Sequence, residues 1–291
     1  MRRSIVLMGL VAGLCLGAEA RKADEGAFNL ATFNIRRPLD KGDNAWTNRL
    51  PRLLKVVADR QFDIIGFQEA MPEQVKDLVK SLPEWNHIGV GRGKKGSDET
   101  VCIFFKKDRF ELCDSGTFWL SENPNEPGSK SWGAAWPRIC TWGVFRDKKT
   151  GKKFRYYNTH LDHVSGLARI NGVNMILEKI KARKGGEPVF LTGDMNGVYK
   201  PASDENTSAN DPILAILDVL KNSEAVSETP HQGNKNTVQG FRTKPSRKDG
   251  CIDYVFVSPG IRILSHATCD DKPDGKFASD HYPVVVRAVI D

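Results

Sequence analysis

Three apolar runs in this sequence stop abruptly at a polar side chain. "LATFNI" carries Asn34, "FDIIGFQEA" ends at Glu69, and "VFLTGDMNG" ends at Asp194 and Asn196. A carboxylate at the tip of a buried strand costs free energy unless something pairs with it. The run "DIIGF" is apolar at every position, as expected of a strand covered on both faces. A chain with such strands needs a layer on each side of its sheet.

The segments between these runs supply the layers. In "WTNRLPRLLKVVADR", Leu50, Leu53, Leu54 and Val57 recur at helical spacing. Thr47 is the expected cap, with Pro51 in the first turn. "PEQVKDLVKSL", "GLARINGVNMILEKIKARK" and "DPILAILDVL" also read as helices. "TVCIFFKKDRFELCDSG" and "CIDYVFVSPGIRILSHAT" read as β-hairpins, as do "RICTWGVFRD" and "KKFRYYNTHL" around "KKTGK". "YPVVVRAVI" closes the chain as a strand. Strand–helix–strand, then hairpins, then strand–helix–strand–strand predicts an α/β fold of two mixed sheets with helices outside. No linker interrupts it, so residues 21–291 are expected to form one domain. Two long loops, "LSENPNEPGSKSWGAAWP" and "SETPHQGNKNTVQGFRTKPSRKDG", are expected to carry function.

Residues 1–20 stand apart. A basic "MRRS", an apolar "IVLMGLVAGLCLG" and a small-residue "AEA" make a secretory signal peptide, cut after Ala20 and too short for a membrane anchor. The mature chain is expected to be exported, periplasmic or secreted. Loss of Arg2, Arg3 and Glu19 lowers the formal charge by one from +7, and the remaining excess suits an anionic substrate. Export allows disulfides. Cys102 with Cys113, and Cys251 with Cys269, flank the turns of two expected hairpins, which permits cross-strand bridges and leaves Cys140 over. The other reading is five small buried thiols.

Other segments add candidates to Asn34, Glu69, Asp194 and Asn196. "YNTHLDH" gives His160, Asp162 and His163, "CIDYVFVS" gives Asp253, and "ASDHYPVVV" gives Asp280 and His281. Loops at one rim of a sheet converge although they are distant in sequence. Clustered carboxylates stay ionised only if a cation or a histidine offsets them. Oxygen-rich donors select hard cations, Mg²⁺ or Mn²⁺.

The blocks "TFNIR", "GFQE", "NTHLDH", "TGDMN", "IDYVF" and "SDHYPV" occur in the order of the endonuclease/exonuclease/phosphatase superfamily, which the chain resembles from about Phe28 to its end. "TFWLSENPNEPGSKSWGAAWPRICTW" is similar to a bacterial exported subgroup. The resemblance implies a deoxyribonuclease-I-like four-layer α/β sandwich and metal-dependent hydrolysis of phosphoesters. It makes Glu69 the principal metal ligand, with Asn34 and Asp280 contributing. Asp194 would orient or deprotonate the attacking water, and Asn196 would hold the water or a phosphate oxygen. Asp253 would orient His281, and His160 and His281 would donate to the phosphoryl oxygens. The family leaves open which carboxylate is the base. Its chemistry makes physical sense, because an anionic phosphoester repels nucleophiles until its charge is offset.

Arg138 matches an arginine of the subgroup and suits a phosphate by its forked geometry. Asp162 and His163 would support His160. Trp132 and Trp136 lie in a loop and could stack on a flat group, with Trp119, Trp142 and Phe241 weaker members of such a rim. The basic run "RTKPSRK" could meet polyanions. The chain lacks the basic insertion of nucleases that grip duplex DNA and the "NVYVPN"-like segment, which counts against an abasic-site repair enzyme. Expected substrates are a nucleic acid, nucleotide, phospholipid head group or sugar phosphate, and no protein partner is indicated. A phosphodiesterase or nuclease leads. The alternatives are a small-molecule phosphomonoesterase, such as a sugar- or inositol-phosphate phosphatase, an inactive binding protein of the same fold, and a glycoside hydrolase, which gives the histidines no use.

Overall fold

The computed structural model describes residues 25–199, 211–244 and 250–291. The expected signal peptide, and residues 245–248 of the basic run, lie outside the described residues. The elements are β1 (Phe28–Asn34), α1 (Trp46–Asp59), β2 (Ile64–Gln68), α2 (Pro72–Ser81), β3 (Trp85–Ile88), β4 (Ile103–Lys106) and β5 (Phe110–Trp119). They continue with β6 (Ile139–Asp147), β7 (Lys153–His160), α3 (Gly166–Lys181), β8 (Val189–Asp194), α4 (Pro212–Leu217), β9 (Lys221–Asn222), β10 (Gln232–Gly233), β11 (Asp253–Val257), β12 (Ile261–Thr268) and β13 (Val284–Ile290).

The strands form two mixed sheets. One runs β10-β12-β13-β1-β2-β4-β3 and the other β5-β6-β7-β8-β11-β9. Each is built around a parallel pair joined by a helix: β1-α1-β2 in the first and β7-α3-β8 in the second. A parallel pair needs a crossover long enough to return the chain to the starting rim. Apolar residues of α1 pack with Ala31, Phe33 and Phe67 on the outer face of the first sheet. Those of α3 and α4 pack with Val189 and Leu191 on the outer face of the second. The inner faces meet through Phe28, Leu30, Phe154 and Phe190. This is the four-layer α/β sandwich.

Two of the expected hairpins are not hairpins. β4 pairs with β2 and β3, whereas β5 pairs with β6 in the other sheet. Likewise β11 pairs with β8 and β9, whereas β12 pairs with β13 and β10. At residues 107–109 and 258–260 the chain turns and enters the facing sheet. Turn residues between two apolar runs specify a reversal, not the sheet that receives the second strand. β6 and β7 do form the expected antiparallel pair. The five cysteines among the described residues are free thiols, for the same reason: Cys102 packs on the outer face of the first sheet, while β5 carries Cys113 into the second.

Helix α1 also differs at its start. It begins at Trp46 after Ala45, without a side-chain cap, and Pro51 lies in its interior. Trp46 Nε1 donates to Asp77 Oδ2 of α2 at 2.9 Å, fixing this end by a tertiary contact instead.

The inner faces change character along the strands. Side chains alternate between faces with period two, so β1 presents Phe28, Leu30, Thr32 and Asn34 inward, β7 presents Phe154, Tyr156, Asn158 and His160, and β8 presents Phe190, Thr192 and Asp194. Each sequence runs from apolar, through neutral polar, to titratable. At the apolar end, rings of Phe28, Phe110, Phe145, Phe154 and Phe190 contact one another. In the middle lies a buried polar layer. Gln68 Nε2 is 2.7 Å from Asn158 Oδ1 and 2.9 Å from Thr32 Oγ1. Thr192 Oγ1 is 2.9 Å from the Tyr156 hydroxyl, which donates to the Ala31 carbonyl. Gly66 makes room for it: a Cβ there would sit 2.6 Å from both the Asn158 side chain and the Tyr156 hydroxyl.

Candidate active site

The titratable end of every inner face falls at one rim. β1, β2, β7 and β8 finish there. β11, antiparallel to β8, begins there with Asp253 opposite Asp194. β13, antiparallel to β1, is entered from the same rim through Asp280 and His281. β4 and β6 run antiparallel to β2 and β7, so Glu99 and Arg138, which precede them, arrive at this rim too. Topology alone gathers side chains distant in sequence: the Asn34–Asp194 hydrogen bond spans 160 residues.

The side chains interlock. Asn34 Nδ2 donates to Glu69 Oε1 at 3.1 Å and to Asp194 Oδ2 at 3.0 Å. The Arg37 backbone N–H donates to Glu69 Oε2, and the Asn196 N–H to Asp194 Oδ1. His160 Nε2 and His281 Nε2 lie 3.5 and 3.9 Å from Asp194 Oδ2. Each histidine has its own carboxylate behind it. His281 Nδ1 is 2.9 Å from Asp253 Oδ2, and His160 Nδ1 is 3.2 Å from Glu99 Oε1. These back contacts direct both Nε2 atoms toward the same centre. Asn196 Nδ2 donates to the Leu161 carbonyl, tying the loop after β8 to that after β7.

Backbone geometry aims several of these groups. Arg36, Glu69 and Asn196 have φ of 57°, 60° and 46°. Non-glycine residues in this left-handed region cost energy and are held there by their surroundings. Gly193, with φ of 149°, lets β8 approach the Thr159 carbonyl where a side chain would collide. Arg49 of α1, fully buried, binds the carbonyls of Ile35, Arg36 and Ala278 and so fixes the two loops that carry Arg36 and Asp280. Burial pushes its guanidinium down to about 10.

Electrostatics divide the carboxylates. Burial works to raise Glu69, but the charge of His160, the Asn34 amide and His281 outweigh it and hold Glu69 at about 2. Asp194 goes the other way: burial raises it, His160 opposes, and nearby Asp253 adds to the rise. Asp280 is also raised, first by burial, with Glu69 adding to it and His281 and Arg36 opposing. Burial acts to lower His281, yet Asp253 overrides it and lifts the imidazole to about 10.

A cleft of about 260 Å³ opens over this centre. Among the expected residues, Glu69, Arg138, Trp136, His160, His163, Asp194, Asn196, Asp280 and His281 line it. Glu69 and Asp280 thus open into one space, and Asn34 and Asp253 sit just beneath it as hydrogen-bond partners. Trp132 is not among the lining residues; its backbone carbonyl accepts from Ser165 Oγ, which positions the loop. Trp119 is buried, donating to the Arg92 carbonyl, and Trp142 stacks on Tyr157 away from the cleft. Asp162 and His163 contact Arg138 rather than His160: Asp162 Oδ2 is 3.5 Å from Arg138 Nε, and His163 Nδ1 is 3.0 Å from Arg138 Nη2.

Sequence reasoning missed Arg36, Arg37, Arg92 and Glu99, all of which line the cleft. Arg92 and Glu99 come from the stretch before β4, which has neither strand nor helix periodicity to mark it. Arg92 and Arg138 bracket Glu99, with Nη1 atoms 3.1 and 3.8 Å from its Oε1. Both Nη1 atoms are buried and neither makes a hydrogen bond.

The donor set fits a hard divalent cation. Glu69 stays ionised at neutral pH and opens with Asp280 into the same cleft, and the Asn34 amide beneath it holds Glu69 in place. No sulfur donor lines this cleft, and the three histidines that line it have Nδ1 engaged with Glu99, Asp253 and Arg138.

The Endonuclease/Exonuclease/phosphatase family model matches residues 31–281. Among solved structures, a protein of this family from Bacteroides vulgatus is 34% identical, covers 91% of this chain and 99% of its own, and superposes with a TM-score of 0.82. A mannosyl-6-phosphatase from Bacteroides thetaiotaomicron is 32% identical, over 90% of this chain and 100% of its own, with a TM-score of 0.80. The human Nocturnin catalytic domain, 16% identical over 91% of this chain and 94% of its own at a TM-score of 0.66, is a likeness of fold alone. Comparison with curated proteins found no match.

Proposed function

The chain belongs to the endonuclease/exonuclease/phosphatase family, and on that premise we propose that it is an exported, Mg²⁺- or Mn²⁺-dependent phosphatase of small phosphate monoesters, of which sugar phosphates are the leading class. Members of the family are hydrolases of phosphoesters that generally use divalent metals. Export rests on the charge and hydropathy pattern of residues 1–20.

The observation that carries the monoester reading is the pair of buried Nη1 atoms of Arg92 and Arg138 in the cleft wall, which share Glu99 as an ion-pair partner but make no hydrogen bond. An ion pair without hydrogen-bond geometry leaves buried N–H groups only partly satisfied, and a phosphate oxygen placed between these two would complete both. With Arg36 and Arg37 the cleft brings four guanidinium groups to one small space. A monoester dianion, with three terminal oxygens, uses that charge more fully than a diester monoanion. The volume is at the small end for ligand sites. The 32% identical mannosyl-6-phosphatase supports the same class. Trp136, half-exposed with Arg92 over its ring at 5.7 Å, offers a face on which a sugar would rest.

In this reading Glu69, Asn34 and Asp280 hold the divalent ion, which offsets the charge on the phosphoryl group. Asp194 takes the proton of the attacking water; a carboxylate raised by burial is a better base than a free one. Asn34 and the Asn196 N–H fix its two oxygens so that it accepts from one direction. His281, kept protonated by Asp253, donates from Nε2 to a phosphoryl oxygen as charge builds. His160, braced by Glu99, donates from the other side. Arg92 and Arg138 hold the remaining oxygens in line.

The family's diesterase chemistry is the second reading, because the Trp136 face would stack a nucleobase as readily as a sugar. Purified protein with Mg²⁺ or Mn²⁺ should release inorganic phosphate from hexose 6-phosphates far faster than it cleaves bis(p-nitrophenyl) phosphate or shortens oligonucleotides. The reverse preference would replace the proposal with the diesterase.

A further inference from the structure

A second cluster of ligating side chains lies outside the catalytic cleft. The segment that leaves β9 at the edge of the second sheet crosses to β10 at the edge of the first. It brings Glu224 and His231 against His266 of β12. One ligand atom from each of the three falls within 4.8 Å of the others. Nothing in the phosphatase reading uses them.

The imidazoles meet nitrogen to nitrogen, with His231 Nδ1 2.8 Å from His266 Nδ1. The proton on His231 can be placed. Its Nε2 is 3.1 Å from the Asn234 carbonyl, which can only accept, so Nε2 carries the hydrogen. In the neutral ring Nδ1 is then a bare lone pair facing the cluster. A backbone carbonyl on the far nitrogen is also how metal-binding histidines are commonly oriented. His266 is 5% exposed, whereas Glu224 is at the edge of the cluster and reaches solvent. Lys235 Nζ occupies Glu224 Oε1 at 2.6 Å, which leaves Oε2 for another partner.

We propose that Glu224, His231 and His266 form a structural site for a borderline divalent ion of the zinc class, two imidazole nitrogens and one carboxylate oxygen with the fourth position left to water. The donor set matches that of known two-histidine, one-carboxylate zinc sites. It differs in kind from the oxygen-rich catalytic centre, so the two would sort ions by softness: Mg²⁺ or Mn²⁺ in the cleft, Zn²⁺ here. The ion would pin the crossing segment to β12. Otherwise that segment is held by short contacts, among them Glu228 N–H to the Ile263 carbonyl and Thr229 Oγ1 to the Leu264 carbonyl. The same segment continues to residues 237–240, whose backbone bonds Asp280 and Tyr282, so the ion would brace the loop that presents His281.

The test uses chelator-treated protein titrated with Co²⁺ in the presence of excess Mg²⁺, both as wild type and as Glu69→Gln, which disables the catalytic centre. Both should bind one equivalent with the visible absorption of a four- or five-coordinate cobalt site, and Zn²⁺ should displace it and raise the melting temperature. His231→Ala should weaken binding by at least 100-fold. Glu224→Gln, a change at the edge of the cluster that leaves the fold intact, should weaken it by about tenfold or more. The proposal is overturned if neither protein takes up Co²⁺ beyond the buffer control. It is equally overturned if folded Glu224→Gln or His231→Ala binds as tightly as wild type, which would leave the imidazole pair as a simple hydrogen bond.

Discussion

The two ends of the layer between the sheets are built from the same strands by opposite means. At the far end Phe28, Phe110, Phe145, Phe154 and Phe190 are buried and touch ring to ring, and no polar side chain among them needs a partner. At the rim end three of those strands, β1, β7 and β8, present Asn34, His160 and Asp194. There Asp253 Oδ1, Arg92 Nη1 and Arg138 Nη1 are buried without a hydrogen bond. Native proteins leave few such atoms, and where they occur a function usually explains them. The aromatic end supplies folding free energy, roughly 2–3 kcal/mol per buried ring. The rim end gives some back to hold charges in place. A sandwich of this kind can tolerate a costly rim because its other end is well packed.

The comparison breaks most decisively at the rim. Asp194→Asn keeps the shape and one of the two N–H contacts, from Asn34 or from the Asn196 backbone, but removes the base, and should lower kcat/KM by about 10³–10⁴-fold. Its melting temperature should stay level or rise, because a buried carboxylate has been neutralised. A fall of several degrees would show that Asp194 is a structural charge, against the contrast. Removal of divalent ions with chelator should abolish activity to a comparable extent and be reversed by Mg²⁺ or Mn²⁺. Phe154→Ala is the mirror experiment. It should cost about 3–5 kcal/mol in denaturant unfolding, while the folded fraction retains kcat within about threefold. Loss of kcat beyond the unfolded fraction would mean that the aromatic end also positions the site.

Arg92→Ala probes how the rim's buried guanidinium groups are used. A charge-assisted hydrogen bond of about 1.5–3 kcal/mol should appear as a KM for monoesters raised about 10–100-fold, with kcat changed less. Unchanged KM, or equal losses for mono- and diesters, would remove the argument for a phosphate pocket between Arg92 and Arg138.

The sequence made the strand tips legible because period-two alternation is local, and a polar residue that ends an apolar run stands out whatever the fold does elsewhere. Asn34, Glu69, Asp194 and the Asp280–His281 pair are visible in this way, and motif order places them together. The sheet that receives a strand is not local information. Residues 107–109 and 258–260 read as hairpin turns, yet they pass the chain between sheets, and the thiol pairing that the hairpins would have permitted goes with them. Glu99 and Arg92 lie in a stretch without periodicity; only the antiparallel pairing of β4 with β2 brings them to the rim. Arg49 reads as a polar helical residue, and its hold on the Ile35 and Ala278 carbonyls depends on contacts 229 residues apart.

The finest test falls on the boundary between the two ends. Thr192 lies between Phe190 and Asp194 on the inner face of β8, with its hydroxyl near both Tyr156 OH and Asn158 Oδ1, the latter at 3.2 Å. Thr192→Val keeps the branching and nearly the volume. Tyr156 OH would still donate to the Ala31 carbonyl, and Asn158 Oδ1 would still face Gln68 Nε2, so neither is orphaned. The cost should be about 1 kcal/mol, or a melting temperature lower by about 2–4 °C. Asp194 is two residues on, and a loosened β8 should reduce kcat by several-fold with KM nearly constant. A polar layer that positions the rim predicts this combination of small stability loss and measurable kcat loss. A destabilisation as large as that of Phe154→Ala, with kcat intact, would make the polar layer a second source of folding energy and dissolve the division between the two ends.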